Sequence, residues 1–152
     1  MLAVLAGHLP GLTAEDPAKP WVIPAGQITA AALALRDDPR LAMTSLMNLT
    51  AVDRPDAGHI EVVYHIGSMA HHHRAALRVL TPRGQARVPS VTAVWPAADW
   101  FEREVFDLFG VVFEGHPDLR RILCPADWEG HPLLKDYVKT KPDVPIKKVA
   151  DA

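Results

Sequence analysis

The sequence predicts an α+β fold: a small antiparallel sheet with flanking helices, followed by an irregular, proline-rich C-terminal extension. Three segments with strand-like composition follow one another between residues 46 and 80, and a turn separates the first two. Two short segments, one on either side of these strands, have helical patterns. Seven of the 14 prolines lie in residues 89–152, which indicates that regular structure is interrupted there.

The composition is typical of a soluble globular protein. Its 152 residues fit one domain, and 49% hydrophobic with 22% charged residues argues against disorder. The formal net charge of −2 leaves no basic field for nucleic acid. A single cysteine, Cys124, excludes an internal disulfide and any zinc or iron–sulfur site built from several thiolates. The sequence has no run of about 18 apolar residues and no basic residue before its apolar start, so we expect a cytoplasmic chain.

The first half of the chain contains one predicted helix and three predicted strands. The helix ends at Asp37-Asp38-Pro39, because proline disfavours helical geometry in the residue before it. Residues 54–58 have the composition of a turn. The predicted helix is Gln27–Arg36, and the predicted strands are Leu46–Asp53, His59–Ile66 and Ala75–Leu80.

A second predicted helix covers Trp100–Phe109. It is preceded by Pro96-Ala97-Ala98-Asp99 and closed by Gly110, which suits a left-handed C-terminal cap. Its apolar side chains cover an arc much wider than the ~100° stripe of a helix packed on one core. Arg103 and Asp107 share the polar edge, four residues apart, where we expect them to pair. A helix apolar on several sides indicates, in so small a domain, a partner protein.

The glutamates of this helix allow two interpretations. Desolvated carboxylates can act as general acids, so Glu102 and Glu104 raise the hypothesis of an autonomous metal-dependent hydrolase. However, the two side chains point about 160° apart on a helical wheel and cannot flank one substrate. We therefore favour ion pairs, in which each glutamate meets an arginine. The candidates are Arg120, Arg121 and an arginine of another chain.

Histidines and the cysteine are assigned structural roles. His71 and His73 are too few for a four-ligand zinc site and indicate a surface cluster. His116 and His131 each lie in a Gly-His-Pro tripeptide, where we expect them to fix loop corners by hydrogen bonds. A partner-facing, proton-carrying role is the alternative for these two. Cys124 is expected to be a buried thiol rather than a nucleophile.

Several motifs after residue 87 resemble a known family. The run Val88–Gly110, with Glu102-Arg103-Glu104 inside it, resembles the signature of the C subunit of NADH-quinone oxidoreductase, respiratory complex I. The match continues to Lys135-Asp136-Tyr137, and Leu49–Asp53 and Glu61–His65 also fit. The motif and interface residues that this resemblance implies are Trp100, Glu102, Arg103, Glu104, Asp107, Gly110, His116, Pro117, Arg120, Arg121, Trp128, His131, Lys135, Asp136 and Tyr137.

Membership of this family implies an α+β domain whose irregular extension is wrapped over neighbouring subunits. The enzyme passes electrons from NADH through flavin mononucleotide and iron–sulfur clusters to quinone and couples this to proton translocation. The C subunit holds none of these cofactors, so the resemblance implies no catalytic, cofactor or metal residue here. The implied partners are the large quinone-site D subunit and other peripheral-arm subunits. The implied location is the cytoplasmic face of the bacterial inner membrane, with membrane contact only through the complex.

The resemblance divides the chain and also shows a departure from the family. Residues 1–45 match weakly, 46–137 form the core and signature region, and 138–152 form an extended tail rich in lysine and proline. Leu134 stands where family members commonly have arginine, and a hydrophobic side chain cannot replace its bidentate donor. A homologous subunit of a membrane-bound hydrogenase or ferredoxin-linked complex is the closest alternative function.

Overall fold

The computed structural model describes residues 20–139 of the 152-residue chain. Expectations for the first 19 residues and for the extended tail from residue 140 lie outside this range. Within it, neither helix is long and apolar enough to cross a membrane.

A mixed sheet of four strands forms the centre of the fold, with the order β1-β4-β3-β2. The three long strands form the predicted antiparallel meander, each a little longer than the sequence indicates. The two-residue strand β1 pairs with β4 in parallel, which the sequence did not predict and which makes the sheet mixed. These strands are β1 at Trp21–Val22, β2 at Ser45–Arg54, β3 at His59–Ser68 and β4 at His73–Pro82.

Successive side chains along each strand point to opposite faces of the sheet, and one of these faces lies in the core. Apolar side chains of β2, β3 and β4 that point to this face are fully or almost fully buried. Helix α1, Ile28–Asp37, contributes its own apolar stripe to the same core. The buried residues of that stripe are Ile28, Ala31, Ala32 and Leu35. Both the predicted helix and the predicted α+β class are confirmed.

Helix α2, Ala98–Phe109, packs against β2 and links two further short strands. Gly110 follows it with φ 77°, in the left-handed conformation that the sequence predicted for the cap. Strands β5, Arg87–Pro89, and β6, Val112–Glu114, pair in parallel on either side of the helix. The extension predicted to be irregular therefore begins with one short strand, β6. A strand of three residues is too short for the alternation of apolar and polar side chains by which a strand is predicted.

Candidate functional site: buried charges around helix α2

Helix α2 buries its charges and exposes part of its apolar surface, the reverse of the predicted pattern. Glu102, Arg103 and Asp107 are buried, whereas the Trp100 side chain is 63% exposed. The predicted polar edge of Arg103 and Asp107 is thus an inner face. Buried charge is costly unless it is paired and hydrogen-bonded, so the partners of these three residues determine how the helix is held.

Asp107 fastens the chain after β6 to helix α2. Its Oδ2 accepts backbone N–H groups of three consecutive residues, Ile122, Leu123 and Cys124, at 3.0, 2.7 and 2.9 Å. Its Oδ1 accepts Arg121 Nη1 at 2.7 Å. Burial raises the pKa of Asp107, but these four donors together outweigh it and lower the pKa to about 2. Asp107 is therefore ionised, and it holds a segment that has no hydrogen bonds of a helix or a sheet.

Arg103 does not pair with Asp107, contrary to prediction. It reaches back one turn, and its Nε and Nη2 donate to the two oxygens of Asp99 at 3.0 and 3.1 Å. Its Nη2 also lies 3.4 Å from Asp118 Oδ2. The guanidinium stacks on the ring of Trp100, 5.1 Å from its centroid. Asp99 and Asp107 both lie four residues from Arg103, so the spacing alone allowed either carboxylate as its partner. Arg121 already binds Asp107.

Neither glutamate meets an arginine of the described chain, so the prediction of internal Glu–Arg pairs is wrong. Glu102 is fully buried and its Oε1 accepts the Val91 backbone N–H at 2.8 Å. Glu104 is exposed and has no ion pair or hydrogen bond with residues 20–139. The one alternative that stays open for Glu104 is an arginine of another chain.

Arg120 and Arg121, the predicted partners of the glutamates, bind two aspartates instead. Arg121 binds Asp107 and also donates to the Gly130 carbonyl at 2.9 Å. Arg120 donates from Nε to Asp118 Oδ2 at 2.8 Å, in an exposed pair. Exposed pairs of this kind contribute little stability, so Arg120 remains available to a partner whereas Arg121 does not.

Two histidines hold loop corners by hydrogen bonds to α2. Nε2 of His116 lies 3.1 Å from the Asp99 carbonyl, while its Nδ1 accepts the Asp118 backbone N–H at 3.0 Å. Nδ1 of His131 lies 2.9 Å from the Asp107 carbonyl. A β-carbon at Gly110 would lie 2.6 Å from the His131 ring, so glycine is needed there for space as well as for its positive φ. Pro117 beside His116 is exposed.

The closing motif is fastened to the sheet by a cluster of Asp53, Arg83 and Asp136. Arg83 donates from Nε and Nη2 to the two oxygens of Asp53, at 2.7 and 3.1 Å. Its Nη1 donates to Asp136 at 2.9 Å. The buried Asp53 also accepts the Lys135 backbone N–H at 2.8 Å. Sequence reasoning missed Arg83, because its partners are 30 and 53 positions away and no local pattern marks it.

The rest of the closing motif packs on its own loop. The rings of Trp128 and Tyr137 stack with centroids 6.5 Å apart, and the Tyr137 hydroxyl donates to the Glu129 carbonyl at 3.2 Å. Leu134, for which the resemblance led us to expect an arginine, is half-buried and packs against the core. The Lys135 side chain is exposed, and its backbone N–H makes the contact with the sheet.

The histidine cluster joins two loops. Nε2 of His71 lies 2.8 Å from the Pro39 carbonyl, and Nε2 of His73 lies 2.9 Å from the Leu41 carbonyl. The two rings stack, with centroids 5.6 Å apart. Within residues 20–139, no three His, Cys, Asp or Glu side chains are grouped so as to hold a metal ion.

Cys124 is half-buried rather than fully buried as predicted, and burial raises its thiol pKa. Its contribution to the fold is the backbone N–H given to Asp107. We therefore expect Cys124→Ser to change the free energy of unfolding by less than about 1 kcal/mol, measured by urea denaturation. A loss as large as that expected for a change at Asp107 itself would show that the thiol is essential to this site.

The fold and this site define a class of protein: an α+β domain in which buried charges fasten an irregular C-terminal segment to one helix and to the sheet. The chain belongs to the family described as respiratory-chain NADH dehydrogenase, 30 Kd subunit, whose pattern matches residues 21–143. The resemblance seen in the sequence motifs is thereby confirmed.

Relatives of this chain are named as the C subunit of NADH-quinone oxidoreductase. The chain is 48% identical over 132 residues to the protein of Caulobacter sp. strain K31, covering 83% of this chain and 61% of that one. It is 53% identical over 103 residues to that of Roseiflexus castenholzii, covering 67% and 59%. With that of Hyphomonas neptunium it shares 42% over 149 residues, covering 91% and 73%. The match spans about three fifths of the first two relatives.

Two solved structures share the fold. One is from the membrane-bound sulfane sulfur reductase, an archaeal respiratory membrane complex, with a TM-score of 0.76 and 28% identity over 90% of this chain and 83% of that one. The other is the trypsin-resistant fragment of Nqo5, with a TM-score of 0.61 and 29% identity over 78% of this chain and 96% of that one.

Proposed function

We propose that this chain is a non-catalytic scaffold and assembly subunit of the peripheral arm of NADH-quinone oxidoreductase. It supports the large quinone-site D subunit during electron transfer from NADH to quinone, which the complex couples to proton translocation. The observation that carries the proposal is 42–53% identity to proteins named as the C subunit of that enzyme. Flavin mononucleotide, iron–sulfur clusters and quinone are assigned to partner subunits. The complex provides membrane attachment, on the cytoplasmic face of the bacterial inner membrane.

The outer surface of α2 supports a scaffold role. Its inner charges are engaged within the chain, and Trp100 and Glu104 remain exposed one turn apart on the same side of the helix. An aromatic ring beside an unpaired carboxylate is suited to an arginine of a partner, which can stack on the ring and pair with the acid. Leu123, which is 60% exposed, adds apolar surface in the segment held by Asp107.

Glu104→Gln tests this surface. We expect it to reduce the yield of assembled complex while leaving the isolated chain as stable as the wild type, since Glu104 has no partner within residues 20–139. A partner arginine left without its carboxylate would weaken association by about 2–5 kcal/mol. Native gel electrophoresis of solubilised membranes gives the yield. Glu114→Gln, at an exposed carboxylate on β6, is the matched control and should assemble normally.

Co-purification distinguishes the parent enzyme from its relatives. The second candidate is the homologous subunit of a membrane-bound hydrogenase or ferredoxin-linked complex, and the similarity to a subunit of another respiratory membrane complex is the observation that favours it. An affinity-tagged chain purified from membranes should bring down a flavin-bearing NADH-oxidising subunit and the quinone-site subunit, identified by mass spectrometry. Recovery of a nickel–iron subunit instead would favour the second candidate. The hydrolase hypothesis would need Glu102 and Glu104 at one site, and one is buried while the other is exposed.

A further inference from the structure

We propose that Glu102 is a proton-binding site, its carboxyl held neutral in the folded chain where helix α2 packs against the segment that carries Ser90 and Val91. The residue has no exposed surface. Its Oε1 accepts one hydrogen bond, from the Val91 backbone N–H at 2.8 Å. Its Oε2 is also buried and accepts none from residues 20–139. An ionised carboxylate accepts bonds at both oxygens, so this environment suits the neutral acid.

No cation compensates a charge at Glu102 within the described part of the chain. The adjacent Arg103 is taken by Asp99 and Asp118. Burial raises the pKa of Glu102 to about 7, the Val91 N–H and the nearby Ser90 hydroxyl oppose the rise, and the negative charge of Asp99 adds to it. The pKa of Asp107, five residues further along the same helix, is lowered instead, because four hydrogen-bond donors outweigh the effect of its burial.

The polar surroundings of Glu102 also include Tyr64 on β3. Its hydroxyl is buried and has no hydrogen-bond partner among residues 20–139, as is true of Glu102 Oε2. Burial raises the pKa of Tyr64, and an ionised Glu102 would raise it further. The polar groups that act on Glu102 are therefore Tyr64 from β3, Asp99 from α2, and Ser90 with the Val91 N–H from the segment after β5.

The direction of the pH effect follows from the raised pKa. The folded chain retains a proton that an unfolded glutamate, with a pKa near 4.3, releases. The contribution of Glu102 to stability is therefore fully present below about pH 4.3 and is lost as the pH rises through about 7. Around neutral pH, loss of this proton places an unpaired charge under helix α2, on the side opposite to the exposed Trp100 and Glu104.

Carbon-13 labelling of the six glutamates in the full chain tests the proposal. We expect one carboxyl resonance to titrate with a midpoint near 7, and we expect Glu102→Gln to remove it. Glu104→Gln, two positions along the same helix, is the matched control and should leave the resonance with the midpoint near 7 in place. If all six carboxyls titrate below about pH 5.5, the proposal is overturned. Should Glu102→Gln fail to fold, sequential assignment of the wild-type spectrum identifies the resonance.

Urea denaturation provides a second readout. Between about pH 5 and about pH 8, wild type and Glu104→Gln should lose stability relative to Glu102→Gln, whose amide does not ionise. Parallel pH profiles for all three proteins would contradict a proton bound at Glu102. This outcome is independent of complex assembly, so it separates the proton site from the proposed scaffold function.

Discussion

Asp107→Asn should destabilise the folded chain by roughly 3–5 kcal/mol. The carboxylate accepts three backbone N–H groups at one oxygen and Arg121 at the other, between 2.7 and 3.0 Å. Asparagine keeps the shape of the side chain but has only one acceptor oxygen. Its NH₂ group would therefore face either Arg121 or the three backbone N–H groups, donor against donor. Arg121 also loses its counter-charge. Urea denaturation followed by tryptophan fluorescence measures the loss.

The same variant should alter the acid limb of the stability profile. Because the pKa of Asp107 is lowered to about 2, its contribution is present above the unfolded value near 3.9 and is lost as the pH falls toward 2. Stability of the wild type should therefore rise between about pH 2 and pH 4, and Asp107→Asn should show a shallower rise.

Glu104→Gln is the matched control for the charge change, since it lies on the same helix but is exposed. It should leave both the urea midpoint and the acid limb unchanged. Equal effects of the two variants would mean that the net charge of α2, rather than the bonds of Asp107, determines its stability.

The sheet and the helices were predictable because their signals are local. In β2 and β3, alternation of apolar and polar side chains marks each strand, and Gly58 marks the turn between them with φ 69°. In α2 the left-handed Gly110 ends the helix where the sequence indicated. Strands β1, β5 and β6 have two or three residues each and show no period from which they could be identified.

The inner charges of α2 could not be assigned from a helical wheel. The wheel treats Arg103 and Asp107 as surface residues because they are polar, but their burial depends on partners elsewhere in the chain. The groups that bind Asp107 lie 14 to 17 positions further on, and two of them belong to apolar residues, whose backbone N–H groups no hydropathy scale records.

Asp53→Asn should release the closing motif from the sheet and cost about 2–3 kcal/mol, the range for hydrogen bonds to charged groups. Asp53 lies at the end of β2 with its side chain fully buried, and it accepts two bonds from Arg83 and one from the Lys135 backbone. Arg83 lowers the pKa of Asp53, so the carboxylate is charged when it makes these bonds. An amide offers one acceptor where three donors converge.

Two measurements separate local release from global unfolding. Urea denaturation gives the total cost, and the rate of tryptic cleavage after the exposed Lys135 reports detachment of the motif under native conditions. Cleavage should accelerate more than the loss of global stability explains, because residues 134–139 lose their attachment to β2 while the sheet persists. Asp56→Asn, at an exposed aspartate three positions further along, is the matched control and should change neither measurement. If Asp53→Asn is cleaved no faster than this control, Leu134 and the Trp128–Tyr137 stack hold the motif without the buried carboxylate.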